Sequence, residues 1–168
     1  VALLVILGYS YTKRFTALCH LVLGVGLSLA PIGAWLSVTG VFAVLPLLFS
    51  FTVLFWVSGF DIIYALQDEG FDRSQKLNSI PVAFGKKGAL WVARLLHLMA
   101  AALVLFAGYY AEFTLWYWFG AFTFCCLLVY QHTLVKHDDL RKVNIAFFTT
   151  NGIASVVFAL FVLAEIYL

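Results

Sequence analysis

Five apolar blocks follow one another along this chain, near Phe15 to Val38, Val41 to Phe60, Ala89 to Ala111, Phe113 to Val135 and Val143 to Ala164, with the polar residues gathered between them. Each is long enough to cross a hydrocarbon core of about 30 Å as a helix rising about 1.5 Å per residue. Val1 to Gly8 is equally apolar but too short to span. The pattern predicts an all-α fold: a polytopic membrane helix bundle of five full transmembrane helices plus an N-terminal helix stub. With Val rather than Met in first position, it also predicts a fragment whose N-terminal part is missing.

Composition agrees. Hydrophobic residues make up 64% of the chain and charged residues 11%, against roughly 25% charged in an ordinary soluble domain. A net charge of +2 offers nothing to nucleic acid, and no obligatory protein partner is evident; the partner required is a lipid bilayer. Placement of charge says more than its sum. Lys13 and Arg14, then Arg73, Lys76, Lys86 and Lys87, then Lys136, Arg141 and Lys142 all fall in connections on one side, whereas the opposite connections hold Thr39 and Gly40, or Glu112, and no Lys or Arg. The positive-inside rule makes the basic side cytoplasmic and sends the C-terminus outside. Arg94 is the one basic residue within a block, near enough to its cytoplasmic end to reach headgroups.

Within the blocks, polar residues read first as packing. Gly24 and Ser28 form a small-xxx-small pair suited to close helix approach. Cys19, Cys125 and Cys126 have no metal-ligand spacing and read as small buried residues; His97, Gln131 and His132 read as satisfied interior groups. Asn151 is expected to face the bundle interior, where an interhelical hydrogen bond and a ligand contact explain it equally well.

The chemistry gathers between the second and third blocks. Asp61, Asp68 and Asp72 stand seven and four positions apart, with Tyr64 on the same stripe if one helix carries them all. Gly70 would loosen such a helix, and the connection, which runs to Lys87, is longer than the usual 2 to 8 residues. Hard carboxylate oxygens suit Mg²⁺, which takes one or two carboxylates and completes its shell with water and substrate phosphates. Arg73 and Lys76 beside them, and Tyr9, Lys13 and Arg14 on the preceding connection, suit the same phosphates. An aromatic belt with snorkelling cations explains Tyr9 to Arg14 as readily. A charged rim over an apolar bundle points to a lipid diphosphate.

These residues resemble a known family, the UbiA superfamily of intramembrane prenyltransferases. DIIYALQDEGFD, Asp61 to Asp72, is similar to its second Asp-rich motif; YSYTK, Tyr9 to Lys13, to its YxxxK motif; and NIAFFTTN, Asn144 to Asn151, to the opening of its last helix. The resemblance is strongest to the 4-hydroxybenzoate polyprenyltransferase-like branch. It implies one partial domain over residues 1–168, the C-terminal part of a nine-helix fold without the first Asp-rich motif, and so inactive alone. It implies Mg²⁺ held by Asp68 and Asp72, Asp61 as a further catalytic carboxylate, and substrate contacts from Tyr9, Lys13, Arg14, Tyr64, Arg73, Lys76 and Asn151. The implied partners are a polyprenyl diphosphate and an aromatic acid, and the implied pathway is quinone synthesis at the bacterial inner membrane with the Asp-rich loop cytoplasmic. A dihydroxynaphthoate acceptor leading to menaquinone is the alternative within the family, and a transporter-like membrane protein is the alternative outside it. Asn78 stands where some relatives place a Lys after the Asp pair.

Overall fold

The computed structural model describes residues 2–168. Its helices are α1 (Ala2–Thr12), α2 (Cys19–Thr39), α3 (Val44–Ala65), α4 (Glu69–Ser74), α5 (Ile80–Tyr110), α6 (Leu115–Leu134) and α7 (Asn151–Tyr167), the last continuous with a π-helical turn over Ile145–Thr150. Four stretches are long and apolar enough to cross a membrane: α2, α3, α5 and Ile145–Tyr167. The protein is an integral membrane helix bundle. The fifth expected span, α6, has 20 residues but is less apolar, because Trp116, Tyr117, Trp118, Gln131 and His132 dilute its hydropathy.

Local chemistry sets the helix ends. α2 stops at Gly40, whose φ of 70° is left-handed and whose amide returns to Leu36 O at 3.0 Å, a conformation that favours glycine. α5 starts at Ser79, whose hydroxyl accepts from the Val82 amide, with Pro81 in the first turn. A kink at Gly85, φ 67° and ψ 171°, separates that turn from the long run beyond it. The connection expected to reach Lys87 therefore ends at Ser79 and contains the short α4. At the opposite end of the bundle, the Glu165 carboxylate of α7 accepts from the Thr114 amide at 2.6 Å and the Tyr117 amide at 3.2 Å. A carboxylate thus satisfies free N–H groups at the start of α6.

α3 is the central helix. Ile62, Ile63 and Leu66 pack with Ala89, Leu90 and Ala93 of α5 in one buried cluster, and Val104, Tyr117, Ala121, Phe124 and Ala154 form a second. Small residues permit the close contacts. A Cβ at Gly24 would strike Ser58 Oγ and lie 2.6 Å from Leu54 O, and one at Gly59 would run into the His97 ring. The outer faces carry Leu95, Leu98, Phe122, Val129 and Leu160 exposed, as a lipid-bathed bundle requires.

Candidate functional site

At one end of the bundle the turn after α1 meets the α4 segment. Asn78 holds the two together: its backbone amide donates to Lys13 O at 2.6 Å and its side-chain amide to the same oxygen at 3.3 Å. This fixes the Lys13 backbone, and its ammonium reaches the Asp72 carboxylate at 3.0 and 3.3 Å. Asp72 is 2% exposed. Burial pulls the Lys13 pKa down, but the hydrogen bond to Asp72 and the charges of Asp72 and Asp68 outweigh it and hold the ammonium above its ordinary value. Asp68 is exposed and sits one turn before Asp72, whose amide donates to Asp68 O at 2.7 Å.

The expected stripe of Asp61, Tyr64, Asp68 and Asp72 is not continuous. α3 ends at Ala65 and a turn follows, with the Leu66 amide on Ile63 O and the Asp68 amide on Ala65 O. Asp61 and Tyr64 stay on α3, and Asp68 and Asp72 belong to the α4 segment. The Asp61 carboxylate accepts from His20 Nδ1 at 2.7 Å. His20, 1% exposed, leaves its Nε2 buried and without a partner. Ser58 Oγ adds a hydrogen bond to His20 O at 3.2 Å, so α2 and α3 are joined twice at this level. Tyr64 lies against Phe147 of the π-helical turn, ring centroids 4.3 Å apart.

The cations divide. Arg73 pairs with Glu69 at 3.0 Å on the exposed face of α4. Arg14, over the Tyr11 ring at 5.4 Å, lines a surface cleft with Lys76, Phe71 and Gln75. Tyr9, half-buried, accepts the Thr12 hydroxyl at its carbonyl. Asn151 lies deeper: its Oδ1 accepts from Trp56 Nε1 at 3.2 Å and its Nδ2 donates to Phe147 O at 2.8 Å. Both ends of its amide are therefore used, Oδ1 in joining α7 to α3 and Nδ2 on the preceding turn of its own helix.

In the half of the bundle away from the rim an apolar cavity of about 690 Å³ is lined by Pro31, Trp35, Phe49, Trp56, Phe124 and Phe158, among others. A second, of about 420 Å³, adjoins it through Pro31, Val53 and Trp56 and reaches Phe60 and Asn151. Trp56 stands between them, with Phe60 and Phe124 edge-on to its ring at 5.8 and 5.2 Å.

Among the described residues no cluster of three or more His, Cys, Asp or Glu is placed to hold a metal ion by itself. The donor set still suits Mg²⁺ shared with phosphate, since that ion needs only one or two protein carboxylates, and Asp68 offers an exposed one beside Asp72. The groups that sequence reasoning missed are His20 and the interhelical bond from His97 to His132. Both histidine contacts depend on which helices are neighbours.

A charged rim over an aromatic-lined cavity, inside a membrane helix bundle, defines a protein that handles an amphiphile with an anionic head. The pattern of the UbiA prenyltransferase family matches residues 1–162, and the chain belongs to that family. It is 30% identical over 156 residues to a 4-hydroxybenzoate octaprenyltransferase of Tolumonas auensis, covering 93% of this chain and 54% of the relative. It is 27% identical over 158 residues to the protein of the same name from Nitrosomonas eutropha, covering 94% and 55%. The apo structure of a UbiA homolog from Aeropyrum pernix K1 superposes with a TM-score of 0.86 at 25% identity, over 98% of this chain and 62% of that one. The chain thus spans about half the length of the curated relatives it matches.

Proposed function

We propose that the protein transfers a polyprenyl group from a polyprenyl diphosphate to an aromatic acid of the 4-hydroxybenzoate type, for quinone synthesis in the bacterial inner membrane, with the Asp-rich rim on the cytoplasmic side. The observation that carries this reading is the Lys13–Asp72 contact with Asp68 beside it, at the same end of the bundle from which adjoining apolar cavities run past Phe60 and Trp56 toward the far end. The two curated relatives reported above carry the corresponding activity in their names.

Asp68 and Asp72 would hold Mg²⁺, which when bound supplies positive charge to the diphosphate. Lys13 and, across the cleft, Arg14 and Lys76 attract the same anion. As the allylic C–O bond breaks, its electron pair leaves with the diphosphate, and these cations stabilise the charge that develops there. The apolar walls exclude water from the allylic cation, and the faces of Trp56, Phe60 and Phe124 offer it electron density. An acceptor ring carbon, activated by its phenol oxygen, forms the new C–C bond and then loses its proton. Tyr64 and Asp61, on consecutive turns of α3, flank the approach to the rim, and Arg73, paired with Glu69, becomes available only if that pair opens.

The test uses full-length protein in membranes supplied with Mg²⁺ and polyprenyl diphosphate, with 4-hydroxybenzoate and a dihydroxynaphthoate as parallel acceptors. Prenylated hydroxybenzoate is the expected product, and Asp68→Ala and Asp72→Ala should abolish it. Unchanged transfer in both variants would sink the proposal, and a naphthoate product alone would move the acceptor to the menaquinone precursor.

A further inference from the structure

On the outer face of the bundle, α5 and α6 part to leave a groove of about 440 Å³ whose lining includes Arg94, His97, Leu98, Ala101, Val129 and His132, with Thr133 at its edge. It lies outside the rim and the cavities described above, and what it holds does not depend on the proposed prenyl transfer.

Beside this groove two polar groups lack protein partners, of which Arg94 is open to the groove and the other is enclosed. Arg94 lies within a membrane-spanning helix, and among the described residues no carboxylate pairs with it. Its guanidinium rests on the Trp91 ring at 5.1 Å, which leaves its N–H edge free. A cation inside a span is costly without an anion or a route to the headgroups. The second group is His132. His97 Nε2 donates to Trp56 O at 3.2 Å, because a carbonyl can only accept. With one proton on each ring, His97 Nδ1 must then accept from His132 Nε2 at 2.9 Å. The chain of bonds ends at His132 Nδ1, a buried acceptor with no donor.

Position shows what meets Arg94. Arg94 is seven residues beyond Lys87, about 10 Å along the helix, and His132 and Thr133 fall in the last turn of α6, which ends at Leu134. The polar half of the groove is therefore near headgroup depth. Its other half, Leu98, Ala101 and Val129, runs toward the bilayer interior, with Leu98 and Val129 each 67% exposed. Basic pockets between transmembrane helices recruit anionic headgroups. We infer that this groove is a binding site for an anionic glycerophospholipid: the phosphate meets Arg94, and an acyl chain lies along Leu98 and Val129.

Native mass spectrometry of the delipidated full-length protein tests this, with phosphatidylglycerol and phosphatidylcholine of identical acyl chains as probes. The wild type should retain phosphatidylglycerol over phosphatidylcholine by about five-fold, the range expected of one arginine near a lipid phosphate. Arg94→Gln should bring the ratio to about one, and Arg94→Lys should keep most of it. Equal retention of both lipids by the wild type, or full preference in Arg94→Gln, would overturn the inference. Displacement of the lipid by inorganic phosphate would overturn it in favour of a free anion. If Arg94→Gln is not recovered folded, a photoactivatable phosphatidylglycerol on the wild type decides: crosslinks at Leu98 and Val129 support the site, and crosslinks confined to other helices reject it.

Discussion

The His20–Asp61 contact makes a prediction that separates a positioning role from mere packing. His20→Phe keeps a ring of similar size between α2 and α3 but removes the Nδ1–H that reaches Asp61 at 2.7 Å. A hydrogen bond to a charged group is worth about 1.5–3 kcal/mol. Asp61 is 18% exposed, so water recovers part of that and the lower end, about 1.5 kcal/mol, applies. If Asp61 works at the rim in the orientation His20 gives it, the same energy appears as roughly ten-fold in kcat. The assay is prenyl transfer by the full-length protein, with kcat and KM measured separately and thermal melting in parallel. His20→Phe should lose about ten-fold in kcat, while His20→Asn, whose amide can donate from nearly the same point, should recover most of it. Adding Asp61→Asn to His20→Phe should then cost less than Asp61→Asn costs alone. The reasoning is refuted if the two substitutions add to within about 0.3–0.5 kcal/mol, or if His20→Asn melts normally yet is as slow as His20→Phe.

Lys13→Met leaves the buried Asp72 carboxylate without its cation; Lys13 is 24% exposed, so the expected loss is about 2–3 kcal/mol of stability, below the 3–5 of a fully buried pair, and Lys13→Met with Asp72→Leu should restore most of it in melting experiments. Because the folded protein raises the Lys13 pKa, the stabilisation from this group is fully present below about pH 10.4, the unfolded value. It should be lost as pH rises through the higher folded value, which an alkaline melting series reads and which Lys13→Met should flatten. Gly59→Ala drives a Cβ into the His97 ring, and since that ring is held at both nitrogens the variant should lose about 1–3 kcal/mol in a detergent melt. Trp56→Leu removes the divider between the two apolar cavities and should shift the preferred prenyl length upward when diphosphates of several lengths compete.

The bundle was legible in the chain because bilayer thickness imposes a length that can be counted. α2, α3 and the run Ile145–Tyr167 lie close to where the apolar blocks end. The start of α5 was obscured for a physical reason: Lys86 and Lys87 look like the end of a loop, yet they follow a kink at Gly85 inside a helix already begun at Ser79. The cap at Ser79 and the Pro81 in the first turn were visible signals of that earlier start. α6 was counted as a span on its length, although its tryptophans and its Gln131–His132 pair lower its hydropathy. Gln131, 0% exposed, donates to Ala146 O at 2.8 Å and so ties α6 to the π-helical turn. A π-helical turn has no periodicity that a sequence displays.

The site was legible in composition but not in geometry, and the Asp residues show where the limit falls. Counting seven and four positions assumes one unbroken helix, so it ties Asp61 to Asp68 and Asp72 through their own backbone. In the fold two of the three carboxylates are instead positioned by a distant residue: Asp72 by Lys13, 59 positions away, and Asp61 by His20, 41 positions away. Those separations follow from antiparallel helices returning to one rim, which the apolar blocks already implied for depth. They do not imply which side of α2 meets which side of α3; that is set by Gly24, where only a missing Cβ lets Ser58 and Leu54 come so close. The same close approach brings Ser58 Oγ to His20 O and so fixes the level at which His20 faces Asp61. Gly24→Leu should therefore disturb Asp61 from about one turn below His20, lowering kcat as His20→Phe does. Normal kcat in a Gly24→Leu protein that folds would break this link between helix packing and the rim.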